Sequence, residues 1–112
     1  RQEFFIENAQ VNIFNSTRIP NLAGVLSNDM VSYWFNIPKY NSIWNTPVAY
    51  EKSVIYFNSL DENSSTIKLL KTFFEWEFIK IDSPKYSNNP ETRIEIIIWN
   101  DYNQSNQNIL TF

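Results

Sequence analysis

The chain of 112 residues contains no cysteine and no histidine. The first absence removes disulfide staples and thiol nucleophiles. Together they remove zinc sites built on nitrogen and sulfur, as well as the common nucleophile–base pairs. Glycine is nearly absent too, with Gly24 alone in the whole chain. Phosphate-cradling loops need several glycines, so loops of the P-loop or dinucleotide type are excluded. Turns that demand positive φ must then fall largely to asparagine, which tolerates that region best among the other residues. No basic stripe exists: Lys39, Lys52, Lys68, Lys71, Lys80, Lys85 and Arg93 stand singly, and the net charge is −3. Nucleic acid is therefore not an expected partner. The apolar runs are too short to cross a bilayer as a helix, so no membrane-spanning segment is expected. No apolar signal-type region follows the Arg-Gln-Glu start, and Arg1 reads as a processing boundary.

What is present is apolar and aromatic. The apolar fraction of 43% and the aromatic fraction of 17% place the chain outside the disordered class despite its many Asn and Ser residues. The length fits a single β-rich domain over residues 1–112. β-branched and aromatic runs bounded by Asn-rich turns predict strands over 3–7, 10–14, 30–37, 48–59, 74–81, 93–99 and 108–112. Pro38 is expected to end the third. In the sixth, Ile94, Ile96 and Ile98 share one face, while the other carries Arg93, Glu95, Ile97 and Trp99. Its apolar end predicts a central position. Residues 64–72 read as one or two helical turns capped by Asn63 or Ser64, and a short helix is expected around 22–26. The fold expected from these runs is all-β, an antiparallel sandwich or part of a jelly roll, with one or two short helices.

Little catalytic chemistry remains. Glu75 and Glu77 would share a strand face, a spacing compatible with a glycosidase-like pair. Their plainer reading is the solvent face of an amphipathic strand opposite Phe74, Trp76 and Phe78, so no enzyme activity, no catalytic residue, no cofactor and no metal site is expected. The aromatics matter more. Trp34, Trp76 and Trp99 lie within predicted strands and are assigned to the core. Tyr40, Trp44, Tyr86 and Tyr102 fall in loops and turns, where aromatic rings serve as platforms for sugars or anchors for protein partners. These four are the candidate ligand-binding residues. The triplets at Asn15, Asn63 and Asn103 match the N-glycosylation acceptor, a match that an Asn-rich chain produces by chance.

Three stretches in order resemble one family. VSYWFNIPKYNSI (residues 31–43) is similar to the "SFW-x-x-IPKY" strand of clostridial neurotoxins, in the lectin-like jelly-roll half of their receptor-binding region. ENAQVNIFNS (7–16) resembles the strand before it, and RIEIIIWNDYNQSNQNILTF (93–112) that family's "EIIW" strand and its successor. The resemblance implies a jelly roll cut roughly half-way. It transfers no binding residue, because the trefoil with the ganglioside-binding motif and the zinc-protease part have no counterpart here. It also departs at Glu75, where the family has glycine before tryptophan.

The functional expectation is a non-enzymatic recognition domain binding a glycan or a protein receptor, on a secreted or cell-surface protein. The alternative is a structural or assembly domain, an oligomer or a subunit of a larger secretion, pilus or capsid-like complex.

Overall fold

The computed structural model describes residues 7–42 and 51–100, and of residues 39–42 the backbone alone. Five strands form one mixed sheet: β1 (Gln10–Asn15), β2 (Asn36–Ser42), β3 (Val54–Phe57), β4 (Glu77–Lys80) and β5 (Thr92–Ile98). Among the described residues two complete helices accompany them, α1 (Leu22–Ser32) and α2 (Ser65–Phe73), and Glu7 is helical as well. The strand order is β2-β1-β5-β3-β4. β1 runs parallel to both β2 and β5, β3 runs parallel to β4, and β3 and β5 meet antiparallel. The chain thus makes two βαβ units, β1-α1-β2 and β3-α2-β4, that point in opposite directions on either side of β5. Right-handed crossovers in two such opposed units bring both helices to the same face of the sheet.

That is where the helices lie. Val11 and Ile13 of β1, Ile55 and Phe57 of β3, and Ile94, Ile96 and Ile98 of β5 pack with Leu22, Ala23, Leu26 and Met30 of α1 and with Ile67, Leu70 and Phe73 of α2. Phe74, Trp76 and Phe78 join the same core, with the Phe74 and Trp76 rings stacked 4.5 Å apart. Residues of opposite parity build a smaller cluster on the other face: Phe14, Val54, Tyr56 and Ile97, with Ile79, Ile81 and Tyr86 partly buried against them. The segment 82–91, which joins β4 to β5 by passing β3, serves this second face as a strap.

The all-β antiparallel sandwich expected from the sequence is therefore corrected to an α/β fold. So is the jelly roll implied by the neurotoxin resemblance. The largest local error is residues 30–37. Their alternating apolar residues suggested a strand, yet Met30 closes the helical stripe Leu22–Leu26–Met30, all three buried on α1. The segment spans the end of α1, a turn and the start of β2. Pro38 lies inside β2 rather than ending it. An edge strand admits a proline whose missing N–H faces away from the ladder. Two further signals pointed away from a sandwich. All four residues of β3 are buried, and β5 is buried at every position but Arg93. Strands covered on both faces are the mark of parallel-type sheets flanked by chain on each side. The strand expected at 108–112, and that at 3–7 except for Glu7, lie outside the described residues.

Candidate functional site

The end of α1 is the most unusual place in the described structure. The Tyr33 and Phe35 amides both donate to the Met30 carbonyl, at 3.0 and 3.2 Å, and the Trp34 amide donates to Val31 at 2.9 Å. This is a Schellman motif, with Met30 and Phe35 supplying the apolar contact that accompanies it. The motif places its C′ residue in the left-handed region, where glycine or asparagine is the usual occupant. Here it is Trp34, at φ 69°. Asn8 and Asn21 fill two other positive-φ positions, as the scarcity of glycine predicts, and Ser59 a fourth. A tryptophan in this region costs on the order of 1–2 kcal/mol. The cost is not recovered by burial, since Trp34 is 63% exposed. Val31, within the same turn, is 50% exposed.

The geometry of α1 fixes where Val31 faces. At about 100° per residue, Val31 lies on the flank opposite Asp29 and Tyr33. The Tyr33 ring sits 5.9 Å from Phe73 of α2, so α2 occupies that flank. Val31 accordingly lies on the side of α1 away from α2, and Trp34 follows it just past the helix end. Asp29, on the inner flank, has a buried carboxylate oxygen with no hydrogen-bond partner, and burial pushes its pKa above the ordinary value.

Two carboxylates hold segments of chain together elsewhere. Glu7 caps the start of α2: one oxygen accepts from the Ser65 amide at 3.1 Å, the other from the Thr66 amide at 2.9 Å and from the Thr66 hydroxyl. Burial by itself raises the Glu7 pKa, but these donors from Thr66 and Ser65 together outweigh it and hold the group below its usual value. Ser64 completes the cap by accepting from the Ile67 amide at 3.3 Å. Glu95 is fully buried in β5, and its carboxylate accepts from the amides of Lys85, Tyr86 and Ser87 at 2.6, 2.6 and 2.8 Å.

Of the four ligand-binding candidates named from the sequence, only Tyr86 has its side chain among the described residues. Tyr86 sits on the strap, half-buried, its ring 5.9 Å from Phe14. Tyr40 belongs to β2, opposite Ile13 of β1. The Tyr40 side chain, Trp44 and Tyr102 lie outside the described residues. Glu75 and Glu77 are both exposed. Asn15 is 1% exposed, and its side-chain amide donates to the Ile19 carbonyl at 2.7 Å, which closes the first glycosylation-type triplet. Among the described residues no group of three or more acidic side chains is placed to hold a metal ion, and no helix is long and apolar enough to cross a membrane.

Sequence reasoning missed three residues. Trp34 was assigned to the core, Glu95 to a polar strand face, and Glu7 to a strand. No local signal marked the exposure of Trp34: continued by four residues, the Leu22–Leu26–Met30 stripe lands on it and would place it in the core. No known protein-family model, curated protein or solved structure matches the chain.

Proposed function

We propose that this chain is a non-enzymatic recognition module that binds a protein partner through the turn at 31–34. The observation that supports this reading is Trp34, held 63% exposed at φ 69°. A backbone cost borne by an indole left 63% exposed calls for a reason beyond burial. A partner pocket that takes the ring supplies one, and tryptophan is the residue most often dominant in such contacts. Val31 in the same turn favours a protein over a glycan. Sugar platforms pair a ring with polar side chains that meet hydroxyls, whereas this turn offers the exposed apolar Val31, and the hydroxyl of its exposed Ser32 is already donated to the Asp29 carbonyl at 2.6 Å. Assembly through a sheet edge is less favoured. β2 carries Pro38, and β4 is four residues long with Glu77 and Lys80 exposed, both devices that blunt an edge.

The test compares retention of proteins from the source organism by the wild-type chain with retention by Trp34→Ala and Trp34→Gly. The expected result is one partner held by the wild type and lost from both variants, with no signal on a glycan array. Equal retention by all three, or a glycan signal abolished by Trp34→Ala, overturns the reading.

A further inference from the structure

We infer that residues 82–91 form a strap that opens as a unit while the helix-covered face stays folded, and that Glu95 is its latch. The strap has no regular secondary structure, and none of its residues is fully buried. It is bounded near its two ends by Pro84 and Pro90. Its shortest hydrogen bonds to the sheet are polar and local, within ten residues along the chain. Three successive amides converge on the Glu95 carboxylate, one on Oε1 and two on Oε2. Such a run of N–H groups is a nest that favours an anion, and here the chain supplies its own.

Other holds assist it: the Ser87 hydroxyl lies 2.8 Å from that of Thr92, and the Tyr86 ring 5.9 Å from that of Phe14. Asn12 donates to the Ser87 hydroxyl at 2.9 Å, and Asn89 donates to the Gln10 side chain at 3.1 Å. The Lys85 ammonium lies 5.2 Å from the centre of the Tyr56 ring and 5.9 Å from that of Tyr86. Arg93, on the same strand face as Glu95, is turned to Glu91 and the Pro90 carbonyl. Beneath the strap lies the small Phe14, Val54, Tyr56 and Ile97 cluster, separate from the large core under the helices. Opening the strap therefore leaves that core intact, and elements attached in this way open at lower free energy than the whole fold.

The test is NMR-detected hydrogen exchange on the wild type and on Glu95→Gln. Glutamine keeps the shape but offers one acceptor oxygen where the carboxylate offers two, so at least one amide of the nest then faces an NH2 group. The amides of Lys85, Tyr86 and Ser87 should exchange faster by roughly tenfold to a hundredfold, the loss expected for hydrogen bonds to a charged group. Those of Ile13, Leu26 and Met30 should hold their rates. Acceleration shared equally by all six, or by none, overturns the inference. Should Glu95→Gln fail to fold, the wild type alone decides in low urea. Strap amides that exchange with little urea dependence support the latch, and strap amides that follow the same urea slope as Ile13 overturn it.

Discussion

The two faces of the sheet are held by different physics. On the helix face, apolar side chains from both helices and the sheet interlock, and Val11, Ile13, Ile55, Ile94, Ile96 and Ile98 are wholly shielded from solvent. On the strap face, a few apolar residues lie under a segment pinned by one carboxylate and a handful of polar side chains. Apolar burial grows with area and needs no particular partner. A buried carboxylate contributes only while all its donors are in place, and it is costly once they leave. The lesson is that one face sets whether the chain folds and the other sets how one segment sits.

Adjacent isoleucines of β5 test this most strongly. Ile96 faces the helices and Ile97 the strap, and both are 0% exposed. Ile96→Ala should cost about 3–4 kcal/mol, near the upper part of the range for core truncations, because two helices and a sheet cannot all close around the hole. Ile97→Ala should cost about 2 kcal/mol, because the strap can settle into the space. Urea denaturation of the two variants measures the gap, and equal losses would erase the distinction between the faces.

The next effect in size is at Glu7, which joins the chain entering β1 to the start of α2. Glu7→Gln should cost about 1 kcal/mol, the usual worth of a helix cap. The donors from Ser65 and Thr66 depress the folded pKa below its ordinary 4.5. The cap's contribution is therefore present above the unfolded value and is lost as pH falls through the depressed folded one. The stability difference between wild type and variant, followed by urea titration from pH 7 downward, should shrink once the pH passes below about 4.

Trp34→Gly should act in the opposite sense and raise stability by about 0.5–1 kcal/mol, since glycine fits the left-handed position without strain. A thermal melt reads this directly, and a loss of stability would mean that the indole supports the fold. The smallest effect is expected at the Arg93–Glu91 ion pair, 3.5 Å long with Glu91 68% exposed. Glu91→Gln should change stability by no more than about 0.5 kcal/mol, as exposed pairs do, and raised salt should make even that vanish.

The parts of the fold legible in the sequence were those whose pattern is local. Val11 and Ile13 marked β1, and Ile94, Ile96 and Ile98 marked β5, which is indeed the central strand. Ser64 announced the start of α2, and its hydroxyl does accept from the third residue on. α1 was truncated in the reading because Val31, Tyr33 and Phe35 alternate as a strand would, and alternation cannot show that a helix stops and a strand begins inside it. The sheet's parallel pairings were hidden for a different reason. Strand direction depends on what covers each face, and sequence pattern does not distinguish a face wet with solvent from one lying under a strap. Glu95 is the clearest case: its polar position in the alternation is real, yet the face it marks is dry. The exposure of Trp34 was equally invisible, because it follows from backbone handedness at one turn.

The place of β5 has a consequence for synthesis. The middle strand of the sheet is the last one in the described chain, and no ladder joins β1 directly to β3. While a ribosome is still short of Thr92, the two βαβ halves exist as neighbours on a string, each with a raw inner border. Only when β5 emerges and slides between them does a single cooperative body come into being. Its closure thus waits on distant pairings, the kind that form slowly.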